Sequence, residues 1–312
     1  MEVFTFILLN NIAPLFIIIY LGYLLTSKFK LDIYTLSKLN FYIFVPALVF
    51  VKVYQTEINR EFLTAIIFGL VILALLAGVG WIISKMMNHK VSISTALNNS
   101  IMFYNSGNFG LPLILLVFSG SPYVDYAVSI QIMVLMVQNL TTNTIGFFNA
   151  GRGQMTYIDS IREILKMPVA YGIILAVLLK FIDLDLTQFF FWPSIEYMEN
   201  GLIPVALLSL GTQLYHTKFS FSNWDVYIAS ITRLLGGPIL AYILIQLMGI
   251  DGVMAQVLFI SSSVPSAVNT ALIAVEFNNE PDFASQVVMT STILSAFTLT
   301  AVIYLSQFLF SV

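Results

Sequence analysis

Leu97-Asn98-Asn99-Ser100-Ile101-Met102-Phe103-Tyr104-Asn105-Ser106-Gly107-Asn108-Phe109-Gly110-Leu111-Pro112 is the polar centre of an otherwise apolar stretch from Ile93 to Phe118. Asn105, Gly107, Asn108, Gly110 and Pro112 fall within eight residues. In a helix interior glycine costs ~1 and proline ~3 kcal/mol. A lipid-facing helix would not carry such a run, because hydrocarbon offers no partner to the backbone groups it frees. The run predicts a helix that unwinds at mid-membrane, where protein or a wet cavity satisfies the freed amides. A second stretch has the same character: Ser261-Ser262-Ser263-Val264-Pro265-Ser266-Ala267-Val268-Asn269-Thr270, inside the apolar segment Val253 to Val275.

The rest of the chain fits a bilayer. Of its 312 residues, 59% are hydrophobic and 9% charged, against roughly a quarter charged in soluble domains. Ten apolar segments are long enough for a ~30 Å core: Val3–Leu25, Leu36–Tyr54, Phe62–Ile83, Ile93–Phe118, Val124–Phe148, Ile164–Ile182, Ile195–Leu214, Val226–Met248, Val253–Val275 and Ala284–Phe310. A β-barrel would need alternating strands, yet Leu70 to Leu76 is apolar at every position. The first segment lacks a basic leader and a cleavage signal, so it reads as a retained span.

Lys28, Lys30, Lys38, Lys85, Lys90, Arg152, Arg162, Lys166 and Lys218 fall in the connections of one side, or at the start of span 2, and only Lys52, Arg60 and Lys180 on the other. Basic residues stay cytoplasmic, so both termini are expected outside a cytoplasmic (inner) membrane. The longest connection divides the spans five and five: residues 1–150 form a first repeat, 151–163 a cytoplasmic linker and 164–312 a second repeat. Because five is odd, the second repeat must be inverted. Val45-Pro46-Ala47-Leu48 matches Ile203-Pro204-Val205-Ala206, Pro14 matches Pro168, and the polar runs of spans 4 and 9 correspond. The expected fold is all-α and integral to the membrane, with ten helices in two inverted five-helix repeats and crossed, broken helices 4 and 9.

Matched breaks in inverted halves point to a transport site, because half-helix N-termini there suit an anion. Asn105, Gly107, Asn108 and Gly110 would form one side of a substrate site, the asparagines bonding a carboxylate beside freed amides; Pro265, Asn269 and Thr270 would complete it, and Pro112 and Pro265 would keep the helices open. Span 5 adds Gln131, Gln138, Asn139 and Asn143. Of these, Gln138, Asn139 and Asn143 are candidates to line the same cavity or to bond neighbouring helices. Span 10 hydroxyls are expected to bond their own backbone.

The two broken segments, Ile93 to Phe118 and Val253 to Val275, contain no carboxylate, which disfavours carboxylate-based proton antiport. Glu276, at the inner end of span 9, reads as a solvated helix end. Arg233 is expected to snorkel or to pair with Asp225, His89 and His216 to be solvated loop residues, and Phe189-Phe190-Phe191-Trp192 to anchor at the interface. No phosphate-binding loop, metal cluster, cysteine or catalytic triad is visible, so neither an enzyme nor a cofactor is expected. A net charge of −3 and the lack of a charge run give no reason to expect nucleic acid.

With these residues in view, the sequence resembles the auxin efflux carrier family, whose bacterial members include malate and malonate permeases. Asn105-Ser106-Gly107-Asn108-Phe109-Gly110-Leu111-Pro112-Leu113 looks like the family's crossover motif. Val264-Pro265-Ser266-Ala267-Val268-Asn269-Thr270, followed by Glu276-Phe277 and Pro281, looks like its second. The resemblance covers essentially the whole chain. It implies a fold related to bile-acid symporters and some sodium/proton antiporters, a scaffold of the first, second, sixth and seventh helices, elevator-like movement of the rest, and often a homodimer. It also implies that Asn105 meets a substrate carboxylate and that Val45 lines its pocket. Lys166-Met167-Pro168-Val169 and Ala65 to Leu70 lack residues that plant members carry. A carrier for a small mono- or dicarboxylate such as malate or malonate is therefore expected, with Na⁺ or H⁺ as the open coupling ion. The rival readings are an exporter of auxin-like aromatic carboxylates and an anion sensor that does not transport.

Overall fold

A computed structural model describes residues 2–55, 60–151, 168–180, 185–217 and 223–310. The expected linker at 151–163, with Arg152 and Arg162, lies outside the described residues apart from Gly151, as do Lys166, Lys218 and the side chain of Glu276. Among the described residues the chain is all-helical, its one extended pairing being a single bridge between Tyr104 and Ser266.

Besides the short 3₁₀ turn Leu186–Gln188, twelve helices follow in chain order among the described residues. They are α1 (Thr5–Phe29), α2 (Ile33–Gln55), α3 (Glu61–Met86), α4 (Val91–Met102), α5 (Ser106–Val117) and α6 (Val124–Ala150), then α7 (Pro168–Lys180), α8 (Trp192–His216), α9 (Trp224–Met248), α10 (Gly252–Ser261), α11 (Val268–Glu276) and α12 (Pro281–Leu309). Helices α1, α2, α3, α6, α9 and α12 are long and apolar enough to cross a membrane. Their ends follow local chemistry. Lys30 ends α1 in the left-handed region, and Asp32 caps α2 by accepting hydrogen bonds from the amides of Tyr34 and Thr35. Single π-helical turns, each with a widened hydrogen-bond ring, interrupt α1, α2, α6 and α9 and open α5.

In lipid, helices gain little from hiding apolar surface, so close packing and hydrogen bonds must hold them together. Two packing groups result. In the first, α1 and α2 pack on α8, and α2 on α7. Here Gly211 lets α8 touch the α1 backbone, since a Cβ would strike the carbonyl of Ile19. Thr26 Oγ1 donates to Thr212 Oγ1 at 2.9 Å across the same crossing, and Asn40 Nδ2 to Ser209 Oγ at 3.1 Å between α2 and α8. In the second group α3 packs on α4, α6 and α9, while α12 packs on α9, α10 and α11.

Three expectations about side chains are corrected. The aromatic run before α8 divides: Phe190 is exposed, whereas the Trp192 ring is buried beside Phe50 and Tyr54 and donates to Glu196. A helix start that turns one ring inward leaves only its neighbours for an interface. His216 is exposed, but His89 is half-buried, with Nε2 3.3 Å from Asp225 Oδ1. The third correction concerns Arg233: it neither snorkels nor pairs with Asp225, because its position on α9 faces the protein interior.

Candidate functional site

Helix α4 stops at Met102. Phe103 is extended, with φ −97° and ψ 121°, and Asn105 takes φ −76° and ψ 63° before α5 starts at Ser106. The second polar run behaves likewise: α10 ends at Ser261, and Ala267 is extended before α11 begins at Val268. The two non-helical pieces cross. Asn105 N–H donates to the Pro265 carbonyl at 2.8 Å, and Ala267 N–H donates to the Phe103 carbonyl at 2.9 Å. Each interruption thus satisfies backbone groups that the other set free. Pro265 has no N–H to satisfy and contributes its carbonyl alone.

Side chains close most of what remains. Gln138 Oε1 accepts from Tyr104 N–H at 3.2 Å, and Gln131 Nε2 donates to the Ser106 carbonyl at 2.8 Å. Ser266 Oγ donates to the Ser100 carbonyl at 2.7 Å, and Ser291 Oγ accepts from Ser266 N–H at 3.1 Å. As expected of span 10, Thr292 and Ser295 donate to carbonyls of their own helix.

Beside the crossing lies a cleft lined by Val45, Tyr104, Asn105, Ser106, Gly107, Asn108, Leu135, Gln138, Asn139, Thr142, Ala267, Val268 and Asn269. It encloses about 420 Å³, open water at its mouth included, but only about 30 Å³ can hold the centre of a water molecule. As it stands it seats a few waters or a very small solute. Its wall carries two buried amide groups whose nitrogens have no acceptor, Asn105 Nδ2 and Gln138 Nε2, with the residues 5% and 2% exposed. Accepting from Tyr104 N–H orients the Gln138 amide so that its NH₂ remains to donate. Among the described residues no carboxylate lines the cleft. Among the described residues no group of three or more His, Cys, Asp or Glu side chains is placed to hold a metal ion.

Of the residues singled out from sequence, Asn105, Gly107, Asn108, Asn269, Val45, Gln138 and Asn139 meet at this cleft. Gly110, Pro112, Pro265, Thr270 and Asn143 do not line it. Thr270 Oγ1 donates to the Ala267 carbonyl, and Asn143 Nδ2 to the Asn139 carbonyl, so both serve their own helices. Pro112 stands in the first turn after the α5 π-turn, and Gly110 makes room for Gln131, whose Nε2 would lie 2.8 Å from an added Cβ.

The residue that sequence reasoning undervalued is Arg233. It is fully buried behind the crossing, donating from Nη1 to the Ile101 carbonyl at 3.0 Å and from Nη2 to the Ser262 carbonyl, with its Cζ 4.8 Å from the centroid of the Tyr104 ring. An arginine interrupting an apolar span is itself the signal that finds it.

A model of the family described as membrane transport protein matches residues 7–157 and 152–303. The chain belongs to that family. Among its relatives, an uncharacterized transporter of Methanocaldococcus jannaschii is 24% identical over 265 residues, 82% of this chain and 84% of the relative. An uncharacterized transporter of Methanothermobacter thermautotrophicus is 22% identical over 291 residues, 92% of this chain and 94% of the relative. Together with the long apolar helices, this membership makes the chain a multi-pass membrane transporter, and relatives named as transporters fit a protein that is not an enzyme.

Proposed function

We propose that this transporter is a secondary carrier of a small organic anion, a mono- or dicarboxylate such as malate or malonate, bound in the cleft at the crossing. One observation carries the reading: Asn105 Nδ2 and Gln138 Nε2, two buried amide donors without acceptors, on one cleft wall without a carboxylate. Neither donor has an acceptor within the protein, so both are available to a carboxylate oxygen, which takes a charge-assisted hydrogen bond. The starts of α5 and α11 beside the cleft favour the same charge. The narrow free space supports a small acid over the aromatic carboxylates of auxin-like exporters.

In this reading the chain crosses the cytoplasmic membrane ten times in two inverted five-helix repeats, with both termini outside. The halves α4 with α5, and α10 with α11, form the broken fourth and ninth crossings. The two packing groups support an elevator-type mechanism, in which α1, α2, α7 and α8 stay fixed and the rest carries the cleft across, alone or in a homodimer. The coupling ion, if one is used, is Na⁺ or H⁺.

The test is uptake of radiolabelled malonate and malate into proteoliposomes. The carrier reading expects saturable uptake and counterflow of labelled substrate, both strongly reduced by Asn105→Ala. Binding without counterflow would indicate a sensor, and uptake that Asn105→Ala leaves unchanged would remove the cleft from the pathway.

A further inference from the structure

We propose that Arg233 sets the anion preference of the cleft: it acts as a fixed counter-charge from behind the crossing and does not touch the ligand. The inference rests on the reading of the cleft as an anion site and adds the residue that gives it its sign.

Four helix ends converge at the crossing. Helices α4 and α10 end there, and α5 and α11 begin. A helix end carries about half an elementary charge, negative at the C-terminus and positive at the N-terminus. The four ends alone therefore sum to about zero, and a crossing built only of backbone has little net preference for an anion. Arg233 changes that sum. Its guanidinium bonds the carbonyl of Ile101, in the last turn of α4, and that of Ser262, which follows α10 directly. One guanidinium thus neutralises both C-terminal ends, leaving the starts of α5 and α11 uncompensated and the crossing with about one net positive charge.

The local sequence of α9 puts the side chain there. Arg233 lies within the π-turn Thr232–Gly236, and Gly237 carries no Cβ where one would strike both the guanidinium and the Ser262 carbonyl. Among the described residues no carboxylate pairs with Arg233; its guanidinium meets the two carbonyls and the Tyr104 ring. A buried cation without a counter-ion is costly, and the nearest place for one is the cleft, whose wall Tyr104 forms. Arginine suits the task because its planar fork spans two carbonyls and stays charged at every physiological pH.

The experiment compares binding of malonate with that of its neutral diamide, malonamide, by thermal-shift titration of the purified protein in detergent. The wild type is expected to bind the anion at least tenfold tighter than the diamide. In Arg233→Gln, malonate should weaken roughly tenfold, the size expected for one charge acting over about 10 Å at an effective dielectric near 20, while malonamide changes less than about twofold. Arg233→Lys should keep the preference while melting lower, because the fork is lost. Ser230→Asp guards against a failure of Arg233→Gln to fold: Ser230 is buried one helical turn before Arg233 with an unpartnered hydroxyl, so a carboxylate there cancels the charge while the guanidinium keeps its carbonyls. A wild-type ratio of malonate to malonamide affinity in Arg233→Gln, or in Ser230→Asp where the first does not fold, overturns the inference and leaves the anion reading standing. A wild type that binds the two probes equally, or neither, overturns the anion reading and the inference with it.

Discussion

The two interruptions look alike in sequence and differ in what they contribute. The first, from Phe103 to Asn105 with the π-turn that follows, lends Tyr104, Asn105, Ser106, Gly107 and Asn108 to the cleft and leaves the Asn105 amide nitrogen unpaired. The second, from Ser262 to Ala267, turns its groups to the protein: Pro265 accepts from Asn105, while Ser266 bonds both Ser100 and Ser291. It reaches the cleft only through Ala267, and α11 adds Val268 and Asn269. Motifs that match in sequence therefore need not share a task. The interruption whose unpaired donor lines the cleft is the one placed for recognition; the other, whose unpartnered Ser262 hydroxyl lies off the cleft, is placed as a clamp.

The sharpest way to break this division is Asn105→Ala. It removes a donor that would bond a charged ligand, a bond of about 1.5–3 kcal/mol, so malonate affinity should fall about 10- to 100-fold. The melting temperature should barely move, because the lost nitrogen has no partner in the unliganded protein. A second variant sharpens the comparison from inside the first interruption. Gly110→Ala would set a methyl 2.8 Å from Gln131 Nε2 and should push that amide off the Ser106 carbonyl. The expected cost is about 1–2 kcal/mol of stability, read as a lower unfolding midpoint with a smaller loss of affinity than Asn105→Ala gives.

Ser266→Ala tests the clamp. It removes the hydroxyl that bonds the Ser100 carbonyl and should cost about 1 kcal/mol of stability with malonate affinity within about twofold of the wild type. If Ser266→Ala weakens binding as much as Asn105→Ala, the two interruptions share the ligand and the division fails. The smallest effect lies outside the crossing. Hydrogen bonds from Thr35 and Tyr34 hold the Asp32 carboxyl below the usual carboxylate range, as those from Thr187 do for Asp185. A depressed value means the stabilisation is complete above the ordinary carboxylate range and is lost as falling pH protonates the folded state. Acid titration of the melting temperature should therefore show a slight loss below that range, reduced in Asp32→Asn, with no change in the malonate to malonamide ratio at neutral pH.

Much of this was legible beforehand. Apolar length predicts long membrane helices because hydrocarbon admits few other spanning forms, and the prolines and glycines mark where helix is costly. Seven of the twelve distinct residues chosen for the site meet at the cleft, since polar side chains near unwound backbone have few other places to go. Thr270 and Asn143 were not separable from them by sequence. Whether a hydroxyl or amide faces a cavity or its own helix depends on rotation about the helix axis, and polarity alone does not set it.

Arg233 marks the boundary most clearly. Its place in an apolar span follows from the sequence, and so does the expectation that so costly a charge has a reason to be there. That reason depends on contacts with Ile101, 132 residues away, and with Ser262, 29 residues away. The sequence by itself determined a helical membrane protein with two polar runs, because those properties are summed along the chain. Only the tertiary structure decided which run faces the cleft, and that one guanidinium joins the ends of two helices behind it. Hydrogen bonds between distant segments depend on how helices cross, and composition carries no record of that geometry.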